Sequence, residues 1–216
     1  MKQHLNNNEQ KLAAAKKALA LVQENKVIGI GSGSTVNVFI SLLAELPFKI
    51  KGAVAASVES ERRLKEIGIR VFTPKEVGSL DIYFDGADEV TPEGYMTKGG
   101  GAALTREKIL AALSNEFICM VDQSKLVQYL GTTFALPLEV IPLAESLVLN
   151  KLEQLGGKPK VREGVITDNG NIIIDVKDFV IEDPLALEAQ LNNIPGIVTN
   201  GIFAFNKASQ IIVGDK

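Results

Sequence analysis

The chain has 216 residues, of which 46% are hydrophobic and 23% charged, and this composition excludes a disordered chain. Its 23 lysines and arginines against 26 aspartates and glutamates give a net charge of −3, which leaves no basic excess for a nucleic-acid backbone or an anionic membrane. An anionic ligand must therefore be bound by a local site.

The first half of the chain predicts helices that alternate with short strands. Apolar residues at helical spacing predict an amphipathic helix over residues 9–24, and Val27 to Ile30 predict a buried strand before the glycine turn GSGST. A second helix, the strand IKGAV and a helix from Ser57 to Gly68 follow. The apolar runs GIRVF, LDIYF and EFICMV predict three more strands. This alternation is typical of α/β proteins and predicts a Rossmann-like, mostly parallel sheet.

The second half of the chain has a different pattern. From residue 133 to residue 200 it reads strand, helix, strand, strand, helix, strand, which is the order of a ferredoxin-like α+β module. Its helices are predicted over residues 142–155 and 184–192, and Asp168-Asn169-Gly170 predicts the turn of its central hairpin. The last strand, QIIVG, is predicted to return to the first sheet.

The two patterns predict two closely packed domains, since no repeat or long linker separates them. We expect residues 1–130 together with 204–216 to form a Rossmann-like α/β catalytic domain. Residues 131–203 are expected to form the smaller ferredoxin-like domain.

Two residue types are scarce. The single histidine, His4, lies in a polar N-terminal stretch, and the single cysteine, Cys119, lies in the apolar run FICMV. Ser-His and Cys-His catalytic arrangements and zinc sites built from histidine and cysteine are therefore excluded. Cys119 is interpreted as a buried apolar residue, and a lone cysteine fits a reducing compartment. Because the N-terminus also lacks a signal-peptide pattern, we expect a cytoplasmic protein without a membrane span.

The turn GIGSGST fails two known glycine fingerprints. The dinucleotide pattern requires a glycine where Ser34 or Val36 stands, and the nucleotide P-loop requires a lysine that is absent. Backbone N–H groups, three hydroxyl groups and a helix N-terminus remain, and they fit a phosphate monoester. The residues concerned are Ser32, Gly33, Ser34 and Thr35. The alternative is an ordinary strand-to-helix turn with a capping serine.

The segment DGADE follows the strand LDIYF and supplies two carboxylates, Asp85 and Asp88, three residues apart. If both face one crevice, their repulsion and partial burial raise the pKa of one and fit it for proton transfer to sugar oxygens. An acidic turn that caps the next segment is the alternative. A divalent metal is disfavoured, because no further carboxylate-rich cluster supplies the ligands.

The segment KGGGAALTREK places Lys98 before three glycines and Glu107 in the first turns of a helix. Three successive glycines cost conformational entropy, so close approach of the backbone to a ligand is the favoured interpretation. Glu107 and Lys98 then resemble a base and a cation that stabilise an enolate, although Glu107 could simply interact with the helix dipole. Lys125, in DQSK after another predicted strand, is a surface lysine when considered alone.

Taken together, GIGSGST, DGADE, KGGGAALTREK and DQSK resemble the type A family of ribose-5-phosphate isomerases in order and spacing. TDNGN and PGIVTNGIF in the second half also match, and Ser32 departs from the threonine more usual at its position. The resemblance implies interconversion of D-ribose 5-phosphate and D-ribulose 5-phosphate in the non-oxidative pentose phosphate pathway, without metal or cofactor. It also implies a homodimer or homotetramer.

The resemblance assigns a role to each motif. Glu107 would be the base, and Lys98 with the N–H groups of Gly99, Gly100 and Gly101 would stabilise the enediolate. The segment Asp85, Gly86, Ala87 and Asp88 would contact the sugar, and its two aspartates would assist ring opening. Residues Ser32 to Thr35 and Lys125 would bind the phosphate.

Two other interpretations of the motifs stay open. One is a different sugar-phosphate enzyme on a similar scaffold, such as a lactonase or a deaminase, although deaminase chemistry commonly uses a histidine. The other is a non-catalytic sugar-phosphate sensor, which would need the GSGST turn but not Glu107, Lys98 and both aspartates.

Overall fold

The computed structural model of the protein describes residues 6–179 and 181–214, so His4 lies outside the described residues. These residues divide into two compact units. The first unit comprises residues 6–87, 109–126 and 208–214. The second comprises residues 88–108, 127–179 and 181–207.

The first unit is built on a five-stranded sheet in which every pairing is parallel. Its strands are β1 (Val27–Ile30), β2 (Gly52–Ala55), β3 (Leu80–Asp85), β6 (Ser114–Val121) and β12 (Gln210–Val213). Their order is β2-β1-β3-β6-β12, a doubly wound arrangement whose order reverses between β1 and β3. The predicted Rossmann-like sheet is confirmed, and QIIVG does return to it as β12.

Helices cover this sheet and form the core with it. They are α1 (Asn7–Leu19), α2 (Ser34–Leu43), α3 (Val58–Glu66) and the short α4 (Pro74–Val77). The rings of Phe39 and Phe84, both fully buried, stack with centroids 4.7 Å apart and join α2 to β3. The first helix is shorter than predicted: it begins after an Asn6 capping box and ends at Leu19. Among the described residues, no helix combines the length and apolarity that crossing a bilayer requires.

The strand predicted at GIRVF was wrong. Only a single bridge forms there, between Val71 and Ala53, with the Ala53 N–H donating to Arg70 O at 2.9 Å. The chain then turns into α4, whose Thr73 N-cap and Pro74 start a helix immediately. Because this short apolar run is followed at once by the start of a helix, it forms one bridge and does not extend into a paired strand.

The second unit contains a four-stranded antiparallel sheet. Its strands are β7 (Leu136–Val140), β8 (Lys158–Val161), β9 (Ile172–Lys177) and β10 (Ile197–Asn200). Helix α6 (Glu145–Gln154) links the first two and α7 (Pro184–Asn192) links the last two. The order β10-β7-β9-β8 is the fourth, first, third and second strand of a split βαβ module, so the ferredoxin-like topology is confirmed. The predicted central turn is present, with the Gly170 N–H donating to Thr167 O at 2.9 Å.

A small third sheet explains why the second unit contains residues 88–108. The strands β4 (Glu89–Val90) and β5 (Met96–Thr97) form a hairpin, and β11 (Ile202–Phe203) pairs with β5. This pairing ties the segment after DGADE to chain that follows β10. The chain therefore passes from one compact unit to the other after residues 87, 108, 126 and 207. The predicted domain boundaries were after residues 130 and 203. The division into a catalytic and a smaller domain stays a prediction.

Candidate active site

In the first unit, the glycine turn lies where a doubly wound sheet binds ligands. Residues 31–33 follow the carboxyl end of β1, and Asp85 is the last residue of the neighbouring β3. These two strand ends flank the point at which the strand order reverses. Ligands of open α/β sheets bind in the crevice outside such a point.

Asp85 holds this turn in place. Its fully buried carboxylate accepts the Ser32 N–H at 3.1 Å and the Gly86 N–H at 2.7 Å through Oδ1, and the Tyr83 hydroxyl donates to Oδ2. A Cβ atom at Gly31 would lie 1.8 Å from Cγ of Asp85. Glycine at position 31 is therefore required for this approach of the carboxylate to the turn.

The N-terminus of α2 has the features of an anion site. Its N-cap is Gly33, in a conformation with φ of 95°, and among the described residues no side chain caps the helix. Ser34 is exposed, and Ser32 and Thr35 are half-buried. The alternative of a capping serine does not hold here, because the N-cap is a glycine. The first N–H groups of α2 and the positive end of its dipole can receive an anion.

In the second unit, residues 99–101, called the glycine loop below, lie against Asp88. The Gly100 N–H donates to Asp88 Oδ2 at 2.8 Å, and the Asp88 N–H donates to Thr97 O at 2.8 Å. A Cβ atom at Gly100 would lie 2.6 Å from Asp88 Oδ1, so only glycine allows this contact. Asp88 is half-buried, whereas Gly100 and Gly101 are exposed.

Lys98, which precedes the glycine loop, forms a buried ion pair with Glu107 of the helix that follows the loop. Lys98 Nζ lies 3.3 Å from Glu107 Oε2, and the side chains are only 3% and 5% exposed. Lys98 continues β5, where its N–H donates to Gly201 O at 2.9 Å, and Glu107 lies in the first turns of α5 (Leu104–Leu113). Because burying two charges carries a large desolvation penalty, such a pair marks a candidate functional site.

The structure thus brings the predicted residues together in two groups. In the first unit, Asp85 contacts both the GSGST turn and the Gly86 N–H; in the second, Asp88 contacts the glycine loop and Lys98 pairs with Glu107. Lys125 belongs to the first unit and is half-buried at the end of a 3-10 helix, Gln123–Lys125. Cys119 is buried, as predicted. Among the described residues, no group of three or more His, Cys, Asp or Glu side chains is arranged to hold a metal ion.

Among the described residues of the second unit, three buried glutamates were missed, Glu89, Glu139 and Glu188. Glu139, fully buried in β7, accepts hydrogen bonds from four polar side chains: Thr105, Thr167, Asn169 and Asn171. Glu89, the last residue of DGADE, accepts the N–H groups of Gly131, Thr133 and Phe134. A charged residue inside the apolar run ALPLEVIP was the available signal for Glu139.

A parallel sheet with a ligand-binding switch point and a buried Lys–Glu pair are typical of an α/β enzyme that acts on a small polar molecule. Comparison with known families makes this class specific. Residues 52–216 match the family described as ribose 5-phosphate isomerase A (phosphoriboisomerase A). The chain belongs to this family.

Relatives and solved structures agree with the assignment. The chain is 59% identical to ribose-5-phosphate isomerase A of Glaesserella parasuis, over 95% of this chain and 94% of that protein. It is 60% identical to the enzyme of the same name from Pasteurella multocida, with the same coverage. The crystal structure of ribose 5 phosphate isomerase A from Neisseria gonorrhoeae superposes with a TM-score of 0.97 at 45% identity, over 99% of this chain and 96% of that chain. A D-ribose-5-phosphate isomerase in complex with phospho-erythronic acid gives a TM-score of 0.94 at 42% identity, over 97% and 96%.

Proposed function

We propose that this protein interconverts D-ribose 5-phosphate and D-ribulose 5-phosphate through an enediolate intermediate. The observation that carries the proposal is the buried Lys98–Glu107 pair flanking a glycine loop, in a chain of the ribose 5-phosphate isomerase A family. A carboxylate base and a cation held 3.3 Å apart are the two groups that this reaction requires.

Glu107 is the proposed base. Its carboxylate removes the proton from C2 of the open-chain aldose, and the electron pair moves through the C1–C2 bond to the aldehyde oxygen. The same group returns the proton to C1, while the proton on the C2 oxygen passes to the C1 oxygen, so that C2 becomes the ketone carbon and C1 carries a hydroxyl group. Burial of Glu107 beside Lys98 supports this role, because a base shielded from water keeps the abstracted proton for the second step.

Lys98 and the glycine loop are proposed to stabilise the enediolate. The Lys98 ammonium supplies a full positive charge, and the N–H groups of Gly99, Gly100 and Gly101 supply further dipoles, of which that of Gly100 donates to Asp88 Oδ2 at 2.8 Å in the structure. Exposure of Gly100 and Gly101 supports this assignment, since a substrate can reach their backbone. The mechanism therefore uses neither a metal ion nor a cofactor.

The remaining motifs are proposed to bind the substrate. The turn Ser32, Gly33, Ser34 and Thr35, with Lys125, binds the phosphate, and Asp85, Gly86, Ala87 and Asp88 contact the sugar, with both aspartates assisting ring opening. The glycine N-cap of α2 supports the phosphate assignment, because no side chain of the described residues occupies that helix end. The half-buried position of Asp88 supports its contact with a sugar hydroxyl.

We also propose a cytoplasmic location and assembly as a homodimer or homotetramer. Family membership supports both, because it assigns the chain to central sugar-phosphate metabolism. Large apolar side chains exposed on the second unit, such as Leu143 at 97% and Tyr129 at 67%, support burial against a second copy.

Direct assay tests the proposed function. Purified protein is incubated with ribose 5-phosphate, and ketose formation is followed, with free ribose in a parallel reaction. We expect ribulose 5-phosphate to accumulate to equilibrium and free ribose to react very poorly, because binding of the phosphate positions C1 and C2. Absence of ketose from ribose 5-phosphate, or equal turnover of free ribose, contradicts the proposal.

A further inference from the structure

We propose that Arg162 is a positioning residue that orients the backbone N–H groups of the glycine loop for enediolate stabilisation. The inference rests on the proposed function and extends it to a residue of the ferredoxin-like module. Arg162 follows β8 directly, and its guanidinium contacts the loop that joins Lys98 to the helix of Glu107. It acts through the peptide groups of the loop between them.

The Arg162 guanidinium joins the loop to β9. Its Nη1 atom donates to Gly99 O at 3.2 Å and to Gly100 O at 3.0 Å. Its Nε and Nη2 atoms donate to the two oxygens of Asp175 at 2.7 Å and 2.5 Å. The side chains of Arg162 and Asp175 are 19% and 25% exposed, so both are largely shielded from water.

These contacts determine where the loop N–H groups point. In a trans peptide the C=O and N–H bonds are antiparallel, and among the described residues no peptide bond is cis. Because both carbonyls converge on one Nη1 atom, the N–H groups of Gly100 and Gly101 are directed away from Arg162. The Gly100 N–H accordingly reaches Asp88 Oδ2 at 2.8 Å, which places the donor side of the loop towards Asp88.

The guanidinium also strengthens these donors. A cation at a carbonyl oxygen polarises the whole peptide group, so the attached N–H carries more positive charge and binds a developing oxyanion better. The first of the two peptides, Gly99–Gly100, is also held by the Ala102 N–H, which donates to Gly99 O at 3.0 Å, and by the Gly100 N–H contact with Asp88. The second, Gly100–Gly101, joins two exposed glycines and is held by Arg162 through Gly100 O at 3.0 Å. Arg162 therefore adds to the local hydrogen bonds of the first peptide and fixes the orientation of the second.

Arginine is the side chain that this arrangement requires. The planar guanidinium presents one edge to the Asp175 carboxylate and still directs Nη1 at two carbonyls. A lysine ammonium is a point charge without this fork, so it cannot hold Asp175 in two contacts and the loop in two more. Lysine at position 162 should therefore preserve charge but lose alignment.

The test compares steady-state kinetics of Arg162→Ala and Arg162→Lys with those of the unmodified protein. We expect kcat to fall about 10- to 100-fold in Arg162→Ala, with KM for ribose 5-phosphate changed less than about threefold, because the N–H groups act mainly on charge that develops in the transition state. The Lys variant is expected to lose at least about fivefold in kcat. Lys160→Ala, an exposed position of β8 paired with Glu163, is the matched control and should leave kcat unchanged.

Two further measurements distinguish a positioning role of Arg162 from a purely structural one. Phospho-erythronic acid carries a planar carboxylate where the enediolate oxygens form, so its inhibition constant should rise in Arg162→Ala by about the same factor as kcat falls. Inhibition by inorganic phosphate should stay unchanged. Methylguanidinium should restore part of the kcat of Arg162→Ala, and methylammonium should not, since only the former has the planar fork.

Each outcome bears on one claim. If Arg162→Ala does not fold, Arg162→Lys and Asp175→Asn, which removes one charge from the partner of the guanidinium, replace it in the test, and kcat should fall at least about fivefold in each. A kcat within twofold of normal in the variants that fold, whatever their melting temperature, overturns the positioning role. An unmodified protein without isomerase activity overturns the proposed function instead, so the two failures are distinguishable.

Discussion

Lys98 and Glu107 are costly residues to bury, and their burial is the clearest functional signal at the scale of single side chains. Both are almost completely shielded from solvent and separated by 3.3 Å. Replacing a buried ion pair by apolar residues is often neutral or stabilising, so stability alone does not explain the pair. The proposed proton transfer by Glu107 beside the Lys98 cation accounts for it.

Replacing Glu107 by glutamine tests this explanation directly. Glu107→Gln preserves shape and removes the base, so turnover should fall about 100-fold or more. The variant also leaves the Lys98 charge without its carboxylate partner, which should lower the free energy of unfolding by about 3 to 5 kcal/mol. Turnover is measured with ribose 5-phosphate at a temperature where circular dichroism shows the variant folded.

Glu116→Gln is the control for Glu107→Gln. Glu116 is an exposed residue of β6, so its loss of charge should change neither turnover nor stability appreciably. Near-normal turnover in Glu107→Gln would remove Glu107 from the role of base.

At the scale of elements, the turn between β1 and α2 depends on one close approach. Asp85 at the end of β3 accepts the Ser32 N–H, and the Ser60 hydroxyl donates to Gly31 O at 2.7 Å. A side chain at position 31 would overlap the Asp85 carboxylate. The shape of the turn, and with it the direction of the α2 N–H groups, is thus set by a glycine and an aspartate together.

Alanine at position 31 should therefore impair activity beyond its effect on stability. In Gly31→Ala the new Cβ displaces Asp85, breaks the Ser32 contact and should lower the free energy of unfolding by about 1 to 3 kcal/mol. We expect KM for ribose 5-phosphate to rise at least tenfold, about the factor for loss of one charge-assisted hydrogen bond. KM and thermal unfolding are measured together.

Gly68→Ala provides the comparison. Gly68 has φ of 78° with no atom within 4 Å of an added Cβ, so alanine there strains the backbone by about 1 to 2 kcal/mol without touching the turn. The two variants should have similar melting temperatures and different KM values. Equal KM values in both would show that the turn does not bind substrate.

At the scale of the whole molecule, net charge sets a constraint on substrate binding. With a net charge of −3 the protein does not attract a phosphorylated sugar from a distance. A phosphate dianion must therefore gain its binding energy locally, and the proposed sources are the N-terminus of α2 and a nearby cation. Lys125, half-buried after Asp122, is the cation proposed for this role.

Removal of the Lys125 charge should act on substrate binding and little else. Lys125→Ala is expected to weaken binding of ribose 5-phosphate by about 1 to 3 kcal/mol, the range for one hydrogen bond to a charged group. KM and the inhibition constant of inorganic phosphate should rise in parallel, while the melting temperature stays nearly constant. Lys75→Ala, which removes an exposed lysine of α4, serves as the control. An unchanged KM in Lys125→Ala excludes Lys125 from the phosphate site.

Much of this architecture is readable from local pattern. The apolar periodicity predicted a parallel sheet followed by a ferredoxin-like module, and both topologies are present. The glycine motifs were also recognisable in the sequence. A turn whose backbone closely approaches a carboxylate needs glycines, and these lie within a few residues of one another. These properties are determined by neighbours along the chain, so the sequence by itself determined them.

Other features depend on partners distant in sequence and were decided only by the tertiary structure. GIRVF has the composition of a strand but forms only a single bridge. Whether such a run pairs into a sheet depends on the chain that lies beside it and not on its own residues alone. Residues 88–108 join the second unit because β5 pairs with β11, which lies far along the chain. Arg162 and Glu139 stand outside every motif; their contacts with the glycine loop and with Thr105 exist only after β7, β8 and β9 have paired. Long-range pairing places charges that no local pattern specifies.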